Sequence, residues 1–284
     1  STYANITAKY DGSYELAPIS ITTESERYLG DIGKLEGWTA EGGEGHASTS
    51  WGKYTHTPFR SWEKWIVQGW ETLNSKTTQF GSENESGPAI TSAGGNRAWT
   101  RYVANSGTIK TNGHESNLAA LIRTVGWGQG NSAPGSLGID GTCNNVTSGE
   151  LFLGTLKDYD PVYGIDFQSR PTGFRFHYKY EPKNPNDYFS ATIVVLDENK
   201  KEIAKQVYTG QGSKIDNWYE EFVKLEYTVW KKATQMYILF KSSDCLEVNE
   251  TNLSYPPKNN LTNGEYVGSQ LYIDDVELIY DYQE

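Results

Sequence analysis

Between Gly173 and Glu181 the side chains change character at every step: Phe174, Phe176, Tyr178 and Tyr180 fall on one side, Arg175, His177 and Lys179 on the other. A period of two belongs to an extended strand, and four aromatics on one side mean that one face of it is buried. The pattern recurs. Phe189, Ala191, Ile193 and Val195 repeat it, and Asp197-Glu198-Asn199-Lys200 supplies a polar turn into a further strand from Ile203 to Tyr208. Val223, Leu225, Tyr227 and Val229 share a face beyond that, followed by Met236, Ile238 and Phe240. Weaker candidates lie upstream at Ala98 to Val103, Asn117 to Thr124 and Glu150 to Leu156, and a last one runs from Gln270 to Tyr280. The total is about ten strands. Trp62, Trp65, Ile66 and Trp70 come closest to a helical pattern, but Gly69 interrupts them, so this segment reads as loop and strand. The economical architecture is all-β, two antiparallel sheets packed as a sandwich.

Residues 1–58 do not share this texture. They are poor in aliphatics and carry a Gly-rich stretch from Gly42 to Gly52. Such a segment cannot bury enough surface to fold alone, so it reads as an irregular N-terminal arm or linker packed on a main domain spanning 59–284. Met236 is the only methionine. The chain therefore reads as starting at a processed or truncated end from which any export signal has been removed.

Charge narrows the partners. Twenty-five Lys and Arg stand against 36 Asp and Glu, a net charge of −11 spread along the chain. Such a surface repels phosphate backbones and anionic membranes, which disfavours nucleic acid as a ligand. No apolar run is long enough to span a bilayer.

The last strand contains a conflict. From Leu271 to Tyr280 one face carries Leu271, Ile273, Asp275, Glu277 and Ile279, the other Tyr272, Asp274, Val276, Leu278 and Tyr280. Whichever face is buried, a carboxylate goes in with the aliphatics unless a bulge shifts the register at Asp274-Asp275. A buried carboxylate needs a cation or several donors. Two readings stay open: a bulge or salt bridge, and a structural Ca²⁺ held through Asp274 or Asp275 with loop carbonyls.

Several segments also resemble one family. Ser169-Arg170-Pro171-Thr172-Gly173-Phe174 running into Phe176-His177-Tyr178-Lys179-Tyr180, Ser242-Ser243 after a hydrophobic strand, and Gly268-Ser269-Gln270-Leu271-Tyr272-Ile273-Asp274-Asp275-Val276-Glu277-Leu278 are similar to successive motifs of the carbohydrate metabolism domain (PCMD-type) family. Gly69-Trp70-Glu71-Thr72-Leu73-Asn74 and Ser148-Gly149-Glu150-Leu151-Phe152-Leu153-Gly154 match it more loosely. The likeness runs from about Phe59 to Tyr280 and leaves the arm unmatched. These are surface or secreted proteins of glycan-degrading Gram-negative bacteria. The resemblance implies a jelly-roll sandwich of the galactose-binding-like, carbohydrate-binding-module type, located extracytoplasmically at the cell surface, outer membrane or periplasm. It brings no catalytic residues with it.

The residues themselves suit sugar binding. A pyranose offers an apolar C–H face that stacks on an indole and a rim of hydroxyls that want Asp, Asn, Gln or Arg. Trp127 lies in Gly126-Trp127-Gly128-Gln129-Gly130 and Trp218 follows Asp216-Asn217, both loop-like contexts; Trp70 and Trp99 are further candidates in turn-rich sequence. A core role is the commoner fate of any single tryptophan. Hydrolysis would need two carboxylates about 5–10 Å apart, and Glu115, Asp140, Asp158, Asp160 and Asp166 are candidates that spacing alone cannot pair. The histidines His46, His56, His114 and His177 show no metal-ligand spacing; His114 reads as a turn residue and His177 as a solvated one. Cys143 and Cys245 fit either a disulfide or two free thiols. The expected function is non-catalytic binding of a poly- or oligosaccharide. A glycoside hydrolase using two acids and an adhesive surface module with a protein partner are the alternatives.

Overall fold

The computed structural model describes residues 24–44, 61–79, 89–93, 96–132, 145–210, 212–245, 247–249, 253–254 and 266–280. Trp51, Asp140 and Cys143 lie outside them, as do the side chains of Trp62 and Trp99.

The first half of the chain supplies β1 (Trp38–Glu44), β2 (Ser61–Val67), β3 (Glu71–Thr72), β4 (Ala89–Ala93), β5 (Asn96–Val103), β6 (Thr108–Asn112) and β7 (Leu118–Ser132). Short strands follow: β8 (Asn145–Thr147), β9 (Glu150–Phe152), β10 (Gly154–Lys157), β11 (Asp160–Tyr163) and β12 (Ile165–Asp166). The second half gives β13 (Gly173–Glu181), β14 (Ser190–Leu196), β15 (Glu202–Thr209), β16 (Ile215–Lys224), β17 (Gln235–Lys241) and β18 (Val267–Ile279). A 3₁₀ turn, Gly30–Lys34, and a one-turn helix α1, Asn74–Thr77, are the helical elements among the described residues.

Two large antiparallel sheets face each other. One has the order β15-β14-β17-β9-β3, with β12 added beside β17. The other runs β16-β13-β18-β7-β5-β4, with β6 and β8 also pairing β7. Between them lies one continuous core. Phe174, Phe176, Tyr178 and Tyr180 from β13 meet Ala191, Ile193 and Val195 from β14 and Ile238 and Phe240 from β17. The rings pack at their preferred offsets, Phe176 standing edge-on to Phe240 at 5.1 Å between centroids. Each such buried side chain contributes roughly 1.5–3 kcal/mol of transfer free energy. β14 is buried along all seven residues, not only on alternate ones. Leu156 and Tyr163 of the β10–β11 hairpin pack with Phe152, Leu239 and Tyr237 in a second, smaller core. That pairs with the burial of Thr192 and Val194, whose partners in β17 are Leu239 and Tyr237.

The turn at Asp197 forms as its composition requires. Asp197 accepts the backbone N–H groups of Asn199 and Lys201, and Lys200 takes a left-handed φ of 59°.

The boundary in texture at residue 58 falls between two strands that pair. β1 and β2 are antiparallel from Trp38 opposite Val67 to Glu44 opposite Ser61. Leu35 joins the main core, and the backbone of Gly33 lies against β18: a Cβ there would stand 2.1 Å from the carbonyl oxygen of Val276. Only glycine permits that approach.

β18 resolves the conflict of its two faces with a bulge. Its register with β13 shifts between Arg175 and His177, and Asp275 takes φ 48°, a left-handed conformation that aspartate tolerates better than most residues. Leu271 and Ile273 before the bulge and Val276, Leu278 and Tyr280 after it are then all buried. The carboxylates on either side of the shift gather away from the core.

Candidate functional site

The outer face of the eight-stranded sheet, opposite the core, collects polar and aromatic side chains from three adjacent strands. Pairing sets His177 of β13 opposite Glu220 of β16 and Lys179 of β13 opposite Tyr272 of β18. The Lys179 ammonium sits 4.6 Å from the centre of the Trp218 ring and 4.5 Å from that of Tyr272, so Trp218, Lys179 and Tyr272 form a row across β16, β13 and β18. All three are partly exposed. Below them Arg175 donates to Glu277 at 2.6 Å and lies 3.7 Å from Glu220, and the Glu277 bond raises the guanidinium's affinity for its proton.

The connection from β6 to β7 completes the face. Asp274 is fully buried, and its Oδ2 accepts the His114 backbone N–H at 2.7 Å and lies 2.9 Å from the Ser116 hydroxyl, while its Oδ1 accepts the N–H of Asp275 at 2.8 Å. Burial pushes its carboxyl above the usual range and these donors oppose the shift. Held in this way, His114 stacks on His177 with 4.0 Å between ring centres and 19° between planes. Trp218 and His114 meet edge to face, with 5.9 Å between ring centres and 62° between planes. Asp275 Oδ2 stands 3.2 Å from His114 Nδ1 and 3.7 Å from His177 Nδ1, and Glu220 approaches the other ring nitrogen of His177 at 3.6 Å.

The structure thus joins Trp218, Asp274 and Asp275, three of the residues singled out in the sequence, with His114 and His177. Neither histidine carries a sequence signal, because the loop of one and the strand of the other are brought together only by sheet pairing. Calcium finds a poor donor set here. Asp274 is engaged by N–H and O–H donors, and the groups around Asp275 are imidazole nitrogens, whereas Ca²⁺ takes six to eight oxygens.

The other tryptophans lie elsewhere. Trp127 belongs to strand β7 and not to a loop, and its indole N–H donates to the Thr147 hydroxyl at 2.8 Å. Trp218 is likewise in a strand, β16, whose exposed acids hide any alternation because it is the edge of its sheet. Trp70 is 7% exposed, packs by Phe240 and donates to the Ile32 carbonyl at 2.9 Å, so its faces are occupied by the core. Trp99 sits in β5. Trp230, not singled out in the sequence, is 74% exposed with the Arg170 guanidinium 5.7 Å from its ring.

Among the described candidate acids, Asp158 and Asp160 share the β10–β11 hairpin, and Asp166 and Glu115 belong to other elements. Asp158 is at the β10–β11 turn with φ 51°, Asp160 pairs with Lys76 at 3.3 Å, Asp166 is in β12 and Glu115 is in the turn after β6. Glu150, not singled out in the sequence, is 8% exposed and accepts the Tyr163 hydroxyl at 2.9 Å; burial raises its carboxyl above the usual value. Cys245 is a free thiol whose Sγ lies 2.8 Å from Asp187, and burial raises its pKa.

No protein-family model matches the chain, and no curated protein matches its sequence. Solved structures are similar to it at low identity. The enzymatically active domain of bacteriophage CBA120 tailspike protein 4 shares 12% identity over 74% of this chain with a TM-score of 0.29, and this chain covers 19% of that one. The carbohydrate-binding module TmCBM61, in complex with beta-1,4-galactotriose, shares 9% over 75% of this chain and 90% of its own, TM-score 0.29. A family 11 carbohydrate-binding module from Clostridium thermocellum, in complex with a beta-1,3-1,4-mixed-linked tetrasaccharide, shares 8% over 77% of this chain and 93% of its own, TM-score 0.30.

Proposed function

We propose that the protein binds a poly- or oligosaccharide without catalysis, on the outer face of the eight-stranded sheet. The observation that carries this is the row Trp218–Lys179–Tyr272, partly exposed and crossing three strands. Two rings on a firm sheet offer stacking area to the C–H faces of sugars, and Lys179, Asp216, Asn217 and Gln270 offer donors and acceptors to hydroxyls. A flat face of this kind suits a chain of sugars better than a single one, because successive residues of a strand-like ligand meet successive strands. The resemblance to the PCMD-type motifs supports placing this binding outside the cytoplasm.

A glycan array probed with the full chain tests the reading. Retention on at least one glycan class, weakened about tenfold or more by Trp218→Ala in affinity gels, is expected. An array without any retained glycan, or binding indifferent to Trp218 and Tyr272, overturns it and favours a protein partner. Release of reducing sugar would favour the hydrolase alternative.

A further inference from the structure

We propose that His114, His177 and Asp275 form a binding site for a zinc-class divalent ion. Each offers one ligand atom, and the three atoms lie within 4.8 Å of one another. They come from the β6–β7 turn, from β13 and from the β18 bulge, so the grouping is a product of the fold and not of local sequence.

Three independent observations support it. First, the spacing is close to what a metal requires. Ligand atoms on a tetrahedral zinc stand about 3.3 Å apart, against 3.2 and 3.7 Å from Asp275 to the two rings. The three ligand atoms all lie within 4.8 Å of one another, and for both lone pairs to reach one ion the imidazoles turn about their soft χ2 out of the 19° stack. Second, His177 Nδ1 is buried and makes no hydrogen bond, its 3.7 Å approach to Asp275 being too long for one. An orphaned buried nitrogen is costly, and a metal bond at that atom removes the cost. Third, the surroundings are those that orient metal-bound imidazoles. The buried Asp274 holds the His114 backbone in place, and the Glu220 carboxylate stands 3.6 Å from the outer nitrogen of His177, a charge contact that a small approach would turn into an orienting hydrogen bond.

The donor set chooses the ion. Two imidazole nitrogens and one carboxylate oxygen suit zinc and its neighbours in the first transition row, not calcium or magnesium. Three protein ligands leave a fourth position for water or for an oxygen of a bound molecule. The site does not depend on the glycan reading, since Trp218 meets it only through an edge-type ring contact with His114.

The test uses the full chain without a polyhistidine tag. Titration calorimetry with Zn²⁺ is expected to show one ion bound per chain and a raised melting temperature, with affinity reduced on the order of 100-fold or more in His177→Ala and Asp275→Asn. Circular dichroism and the metal-free melt of each variant establish that it folds. A measurement on the unaltered protein runs beside this: Zn²⁺ is expected to shift the Nδ1 ¹⁵N resonances of two of the four histidines. Absence of binding, equal affinity in folded His177→Ala, or an unchanged imidazole spectrum each overturns the proposal.

Discussion

Asp274 accepts the backbone N–H of His114 at 2.7 Å across 160 positions of sequence, and with the Ser116 hydroxyl at 2.9 Å from the same oxygen it ties the β6–β7 turn to the bulge of β18. Replacing Asp274 with Ala leaves the N–H groups of His114 and Asp275 without their acceptor in a buried place. A loss of about 3 kcal/mol is expected in denaturant titration. Amide exchange at His114 and Asp275 should accelerate beyond what the global loss explains; uniform acceleration along the chain would show that the bond has no local role.

Trp70 and Trp218 should separate stability from binding. Trp70→Ala removes a buried indole and its bond to Ile32, which should cost about 3–5 kcal/mol. Trp218→Ala alters a partly exposed ring on an edge strand and should cost no more than about 1 kcal/mol while weakening glycan retention about tenfold or more. Equal destabilisation by the two would mean that Trp218 is structural.

Glu150 gives stability a pH dependence of definite sign. Its folded pKa is raised by burial, so the native state holds the proton more tightly than the unfolded chain. The stability it contributes is complete below the ordinary value of 4.5 and is lost as pH rises through the folded one. Glu150→Gln keeps an acceptor for the Tyr163 hydroxyl and removes the ionisation. The variant should therefore be more stable than the parent at neutral pH and show a shallower decline above pH 4.5, with Asp274, raised for the same reason, leaving a residual slope. Parallel stability–pH curves would refute this.

Gly33→Ala tests whether the segment before residue 58 belongs to the folded unit. The new methyl would meet a backbone carbonyl of β18 at 2.1 Å, which no side-chain rotation can relieve. The 3₁₀ turn must lift off the sheet, at an expected cost of about 1–3 kcal/mol. An unchanged melting temperature would show that Gly30–Lys34 rests on β18 without contributing.

What the sequence determined by itself is the set of strands with one buried face. In β13 the period of two in Phe174 to Tyr180 is a local property, and it survives folding because a strand's faces are assigned residue by residue. The Asp197 turn was legible for the same reason: the side chain bonds its own backbone neighbours. The paired acids at Asp274-Asp275 offered a bulge as one of two readings, and it is the one by which the aliphatics on both sides of them share a face. Only the tertiary structure decided the rest. Edge strand β16 leaves Asp216 and Glu220 exposed and Glu221 only half-buried, so it lacks a clean pattern, which is why Trp218 read as a loop residue. Trp70 went to the core because Ile32, from a segment that looked like an arm, closed over it. His114 and His177 met because β7 and β13 flank β18, whose bulge sets Asp275 between them. Local periodicity chose which face of a strand is wet, and sheet pairing chose which wet residues became neighbours.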